Sequence, residues 1–282
     1  MGARRTKPAR PALRTRTLDE LVVDDAGSFR HVGLYADLAG ILVGDGYEFR
    51  VLPASYAGRW DRALLLNLTF WGSGAGGDVL VEDRISADVV AHAACHHLAA
   101  RALAPRSGKR SLPARQSAEA LFLGEAIASA FDVYLVGRLL GHAPRSTFLA
   151  TQVPAMAETA RAAGLSAAGF AALLGRMAAS PERAFEDLRA LLFDATRALA
   201  ACSGAAEALA ALARFDAHAF APLLHRYELS NWVLYARAYA PTSVGHDERV
   251  HAVDRALRAA RDPLAWLEES WVAPALAAVR RA

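Results

Sequence analysis

Cysteine and lysine are scarce in this chain of 282 residues. The two cysteines, Cys95 and Cys202, lie far apart in helical patterns, which excludes a disulfide framework and favours a reducing, cytoplasmic setting. Lysine occurs only at positions 7 and 109, and nearly all other positive charge comes from arginine. Together with abundant alanine, this bias is typical of a bacterial genome rich in G+C.

Acidic residues are absent from residues 1–16, which carry six positive charges and two prolines. Because the formal net charge of the whole chain is +3, residues 17–282 carry a net charge of −3. A body that binds nucleic acid usually clusters Lys and Arg on one face, so nucleic acid is not an expected partner beyond weak contacts of the tail. We expect residues 1–16 to form a disordered basic tail.

Long uncharged apolar runs are also missing. The most apolar segment, residues 118–137, contains Glu119, Glu125 and Asp132, so we expect no transmembrane segment. No apolar stretch follows the basic N-terminus as it would in a secretory signal. With 54% hydrophobic and 22% charged residues, the chain is suited to burying a substantial core.

Hydrophobic periodicity predicts an α+β protein that is predominantly α-helical, with a small N-terminal β-sheet. Residues 47–52 alternate as a strand does, and residues 62–71 and 78–82 indicate two more strands joined by a glycine-rich turn at 72–77. Residues 18–43 favour one or two short helices.

Helical patterns dominate the rest of the chain. Predicted helices cover 87–103, 118–140, 146–163 (with a break or kink at Pro154), 166–179, 181–202, 205–213, 216–228, 230–239, 247–260 and 262–280. After the tail, we therefore expect an α+β unit over residues 17–145 and an all-helical unit over 146–282.

The stretch from Asp88 to Leu98 holds His92 and His96 four residues apart in an apolar run. On a helix, residues at this spacing project from one face, one turn apart, and two neutral imidazoles so placed can bind one metal ion. His97 points about 100° away from His96, so it is not an expected ligand of the same ion.

Glu125 is the natural third ligand on the next predicted helix, where it shares a face with Phe122 and Ala128. A carboxylate in that apolar setting is costly unless a cation pairs with it, and either a metal ion or an arginine would serve. Asp132, two turns further on, is expected to accept a hydrogen bond from one histidine and so orient it, with Ser129 on the same face. A metal site requires the three donors to converge within about 5 Å.

The order of these elements resembles a known family. A strand pair, a helix with two histidines four apart, a loop, and a helix carrying Gly124-Glu125-Ala-Ile-Ala-Ser129 are similar to the gluzincin branch of the zincin metallopeptidases, which includes the thermolysin-like enzymes. The resemblance covers residues 45–140, and its informative part is 89–132. It implies a zinc ion (Zn²⁺) held by His92, His96 and Glu125.

One position departs from the family pattern. The family carries His-Glu-x-x-His on the first helix, and its Glu is the general base that activates the zinc-bound water. Ala93 occupies that position here. Because loss of a positioned acid or base typically lowers the rate about 10²–10⁴-fold, we expect peptidase activity to be absent or weak. The resemblance then implies a metal-binding pseudoenzyme that acts by binding a peptide or protein partner.

Residues that would stabilise an oxyanion are less well defined. Gluzincins often use a His or Tyr from the C-terminal helical region for this role. Tyr235, Tyr239 and His225 are the candidates in this chain, and their spacing does not choose among them. A surface polar role is the alternative for each.

Two other functions stay open. In a metal-free helical interaction or scaffold protein, His92 and His96 would simply pack, and Glu125 would pair with an arginine. An active metal-dependent hydrolase would need a relocated base. Cys95 and His97 are close in sequence, but both are on the wrong faces of the helix for a simple replacement.

Overall fold

The computed structural model describes residues 13–56, 58–60, 79–104, 116–239 and 246–281. Within these ranges the protein is mainly α-helical, with short strands near the N-terminus, which confirms the predicted fold class. The predicted strand over residues 62–71 and the glycine-rich turn at 72–77 lie outside the described residues.

The described strands form two small sheets. They are β1 (Arg14–Thr17), β2 (Val22–Asp24), β3 (Glu48–Val51), β4 (Val79–Leu80) and β5 (Arg84–Ser86). One sheet has the order β1-β3-β4, in which β3 runs antiparallel to β1 and parallel to β4. In the other sheet β2 pairs in parallel with β5, directly before the helix that carries His92.

The helices account for most of the described chain. They are α1 (Gly33–Gly44), α2 (Ala87–Ala102), α3 (Ala118–His142), α4 (Thr147–Ala162), α5 (Ala167–Ala179), α6 (Pro181–Ala200), α7 (Ala205–Ala213), α8 (Arg226–Tyr239), α9 (Glu248–Ala259), α10 (Pro263–Leu267) and α11 (Ala273–Val279). A π-helical turn, Glu268–Val272, joins α10 to α11. The predicted bounds of α2 to α7 and of α9 agree with these ranges to within two residues.

One N-terminal prediction needs correction. The tail was predicted to be disordered to residue 16, but Arg14–Thr17 form strand β1, where Arg14 and Arg16 each bind Asp83 at 3.2 Å. The prediction of one or two short helices within residues 18–43 is confirmed by α1, and β2 and two 3₁₀ turns precede this helix. Both strands depend on partners far along the chain, which local periodicity does not reveal.

One prediction for the helical part is wrong. The predicted helix over 216–228 is replaced by turns and a 3₁₀ segment, Ala221–Leu223, and α8 starts only at Arg226. Pro222 lacks a backbone N–H, and the His218 ring accepts the N–H of Phe220, so the helix cannot propagate there. Of the break or kink predicted at Pro154, the break is excluded, because α4 continues through this exposed proline with buried residues on both sides.

Helix α3 is the central element, and it packs against α2, α5 and α6. By length and composition alone it is able to cross a membrane, but 83% of its most apolar window is buried inside the protein, as in a core helix. Gly137 allows the close approach of α5, since a Cβ at this position would lie 2.3 Å from the carbonyl oxygen of Met177. Because most of α3 is buried, its charged residues lie in or beside the core.

Asp25 joins the N-terminal segment to the start of α4. Its backbone has a φ of 60°, and its carboxylate accepts hydrogen bonds from the Ser146 hydroxyl and from the N–H groups of Thr147 and Phe148. It thus caps a helix that begins more than 120 positions later. Burial alone would raise the pKa of this carboxyl, but these hydrogen bonds, with one from Ser28, hold the pKa below its ordinary 3.8.

Replacing Asp25 with alanine is expected to lower the free energy of unfolding by about 1–3 kcal/mol at pH 7, because the first turn of α4 loses a charged cap. Asp25→Asn should cost less, since asparagine tolerates positive φ and keeps an acceptor oxygen. A lowered folded-state pKa contributes stability above the unfolded pKa, so the advantage of the wild type over Asp25→Asn should shrink as the pH falls below about 4. Urea unfolding at pH 7 and pH 3 measures both effects, and equal stability of all three proteins would contradict them.

Candidate metal centre

The side chains of His92, His96 and Glu125 come together where α2 packs on α3. His96 Nε2 lies 3.1 Å from His92 Nε2 and 3.5 Å from Glu125 Oε1. Two ligand atoms at about 2.0–2.2 Å from a tetrahedral zinc ion are about 3.3–3.6 Å apart. The distance from His96 to Glu125 matches this spacing, and the distance between the two histidines is slightly shorter. Among the described residues, these three side chains are not a group whose ligand atoms all lie within 4.8 Å of one another, so His92 or Glu125 has to shift before all three can hold one ion. The donor set of two imidazoles and a carboxylate suits zinc.

Small residues bring the two helices close at this point. A Cβ at Gly124 would lie 3.5 Å from the Ala99 Cβ, which is an ordinary van der Waals contact. Ala99 is one turn after His96, and Gly124 directly precedes Glu125. Because the helix axes can approach where side chains are small, the imidazole and the carboxylate meet across the interface.

Burial sets the chemistry of the donors. The Glu125 side chain is only 6% exposed, and a carboxylate so deeply buried favours a cation as its partner. Burial, with a further contribution from the neighbouring His92, lowers the pKa of His96 well below 6.5. His96 is therefore a neutral imidazole at physiological pH, which is the form that ligates a metal.

Asp132 contacts His92 on the ring nitrogen that faces away from His96, as the sequence predicts. Its Oδ2 lies 3.1 Å from Nδ1 of His92, which leaves Nε2 of that ring directed toward His96. A carboxylate on the second ring nitrogen fixes the tautomer and orientation of a ligating histidine. Ser129 is half-buried on the same helix, and no hydrogen bond of its hydroxyl to the cluster is seen among the described residues.

Ala93, the residue directly after His92, is partly buried and packs against the core. The neighbouring candidates for a relocated base point elsewhere, as expected. His97 Nε2 binds Asp45 at 2.8 Å. Cys95 lines a small apolar cavity with Leu34 and other core residues, and burial raises the pKa of its thiol. Neither side chain supplies a base to the cluster.

Asp88 also belongs to this region, although the sequence analysis named it only as the start of the stretch that holds His92 and His96. Burial raises the pKa of the Asp88 carboxyl, and the nearby Asp132 raises it further. Asp88 in turn adds to the effect of burial on Tyr35, raising the pKa of that phenol to about 12. The spacing carries a signal for this role, since Asp88, His92 and His96 follow one another at steps of four residues.

The three oxyanion candidates differ in position. His225 is exposed just before α8, with its ring centroid 6.5 Å from that of Tyr227. Tyr235 is half-buried within α8. The side chain of Tyr239 lies outside the described residues. Their assignment to an oxyanion site remains a prediction.

A second group of donors lies at the first turn of α3, six residues before Glu125. One ligand atom from each of Glu119, His246 and His251 can be chosen so that all three are within 4.8 Å of one another, close enough to hold one metal ion. The sequence analysis noted Glu119 only as a charge within an apolar segment. No local spacing links Glu119 to the two histidines, since more than 120 residues separate them.

Comparisons of the chain with protein-family models, with curated proteins and with solved structures found no match.

Proposed function

We propose that this protein binds one zinc ion through His92, His96 and Glu125 and that it is a gluzincin-like metallopeptidase relative lacking the general base. The observation that carries the proposal is the spacing of His96 Nε2, which lies 3.1 Å from His92 Nε2 and 3.5 Å from Glu125 Oε1. The contact of Asp132 with the far side of His92 adds support, because ligating histidines commonly have such a partner. When bound, zinc supplies a Lewis acid that polarises a carbonyl oxygen.

The residues of this site have different roles. His92 and His96 offer nitrogen donors, Glu125 adds the negative charge, and Asp132 holds His92 in place. Ala93 can neither accept nor deliver a proton. Without a positioned base, hydrolysis should be slow, so we propose that the protein acts chiefly by binding a peptide or protein partner at this site.

Zinc content of matched variants tests the metal site. After removal of metal with a chelator, reloading with zinc and dialysis, His96→Ala should contain one equivalent less zinc than the wild type. His97→Ala is the matched control, because His97 is the next residue on the same helix but binds Asp45. It should keep the zinc content of the wild type.

The difference in zinc content between His96→Ala and His97→Ala tests the proposed site, and the total zinc content of the protein does not affect this comparison. If His96→Ala and His97→Ala hold equal amounts of zinc while both remain folded, the proposed site is wrong. A metal-free helical interaction protein would then be the better description.

A further inference from the structure

Glu119, in the first turn of α3, contacts the start of α9. Its side chain is only 4% exposed, and its two carboxylate oxygens are 3.1 and 3.0 Å from Nε2 of His251. His246 completes a group whose ligand atoms lie within 4.8 Å of one another. Two imidazoles and a carboxylate thus converge at a place that the proposed function does not use.

We propose that Glu119, His246 and His251 form a second binding site for a divalent transition metal of the zinc type. Imidazole donors favour zinc, copper, nickel and iron over magnesium and calcium, which prefer oxygen ligands alone. The three donors come from the first turn of α3 and from both sides of the start of α9. An ion bound here joins these two elements.

The carboxylate of Glu119 is already held in one orientation. Arg197 Nε donates to Oε1 at 2.9 Å, and the backbone N–H of Asp247 donates to Oε2 at 2.8 Å. Hydrogen bonds of this kind commonly orient a metal-ligating carboxylate. A carboxylate has about four lone-pair positions, so the position on each oxygen that now faces His251 Nε2 becomes available to an ion that His251 also ligates. The Arg197 side chain is 39% exposed and its guanidinium lies over the Phe193 ring, so solvent screens part of its charge.

The exposed histidine is the ligand that has to move. The His246 and His251 rings stack with their centroids 4.1 Å apart and an angle of 17° between their planes. Histidines that share an ion direct their lone pairs to it within the ring planes, so one ring must turn out of the stack. His246 can do so because its side chain is 63% exposed. Glu248 Oε2, 2.9 Å from His246 Nε2, is an additional oxygen donor close to it.

The position of the group gives the site a structural consequence. Arg249 donates to the carbonyl oxygen of Ala104 at 2.7 Å, and Asp247 accepts a hydrogen bond from Ser117 at 2.8 Å. Ala104 follows α2, which carries His96, and Ser117 precedes α3, which carries Glu125. A metal ion at Glu119 therefore fastens α9 to the junction of the two helices.

Zinc titration against a chromophoric chelator tests this site in a His96→Ala background, which removes the other site. His96→Ala should still bind one equivalent of zinc, and zinc should raise its melting temperature. Adding His246→Ala should weaken the binding at least about ten-fold and abolish the rise in melting temperature. Adding His225→Ala, another exposed histidine, should change neither result.

The outcomes separate this inference from the proposed function. The second site is wrong if His96→Ala binds no zinc, or if His246→Ala and His225→Ala behave alike in that background. His246→Gln, which keeps a hydrogen-bonding partner for Glu248, should lose zinc as His246→Ala does. It therefore excludes a fold defect as the cause of the loss. The first site is tested by the comparison of His96→Ala with His97→Ala.

Discussion

Replacing Arg189 with methionine is expected to lower the free energy of unfolding by about 3–5 kcal/mol. The Arg189 side chain is fully buried and binds Glu186 at 2.6 Å and Asp254 at 2.7 Å, which joins α6 to α9. Both carboxylates are themselves at least 89% buried. Without the guanidinium, Glu186 in particular would keep a negative charge in the core with its main partner gone, which is the costly outcome for a buried ion pair.

The control for this variant lies on the same helix. Arg183 pairs with Asp187 at 2.9 Å, but its side chain is 75% exposed. Arg183→Met should therefore change the free energy of unfolding by less than about 0.5 kcal/mol. Urea unfolding of both variants measures the difference. Equal stability of Arg183→Met and Arg189→Met would show that the buried network does not hold α6 and α9 together.

Replacing Ala93 with glutamate is expected to raise peptide hydrolysis at least about 10²-fold over the wild type. The substitution places a carboxylate next to His92 at the position where gluzincins carry their general base. If His92, His96 and Glu125 hold zinc as proposed, a base is the part of the catalytic machinery that this chain lacks. Hydrolysis of a mixed fluorogenic peptide library measures the gain, and a chelator should abolish it.

Two matched variants make the result specific. Ala93→Gln has nearly the same size as Ala93→Glu but cannot act as a base, so it should stay at the wild-type rate. Adding His96→Ala to Ala93→Glu should remove the gained activity. If Ala93→Glu is folded and loaded with zinc but no more active than Ala93→Gln, the site does not have the proposed peptidase ancestry.

The two helices of the candidate site could be predicted because their signals are local. The predicted start of α3 at residue 118 agrees with the structure, where Ser117, a residue type that favours the N-cap position, accepts a hydrogen bond from the N–H of Ala120. The four-residue spacing of His92 and His96 placed both on one face of α2, and the two rings do meet. Spacing on α3 likewise placed Asp132 on the face of Glu125, from which it reaches His92.

Other features depend on partners that are far apart in sequence. Asp25 caps α4 across 121 positions, and Arg189 binds Asp254 across 65. Glu119 meets His251 only because α9 folds back onto the first turn of α3. Periodicity and helix-cap signals are local, so they do not predict which distant residues pair. Tertiary packing determines these pairs.

Even local signals failed where tertiary structure overrode them. Of the break or kink predicted at Pro154, the break does not occur, because buried residues before and after the proline keep α4 continuous. In residues 216–228 the error was the reverse, because an apolar pattern favoured a helix that Pro222 prevents.

Anomalous diffraction at the zinc absorption edge is the most direct test of the metal centre. In crystals of zinc-loaded protein, we predict a peak about 2.0–2.2 Å from His92 Nε2, His96 Nε2 and a carboxylate oxygen of Glu125. The peak should be absent from crystals of His96→Ala and present in those of His97→Ala. Zinc-loaded wild-type crystals with no anomalous peak between these three side chains would contradict the account.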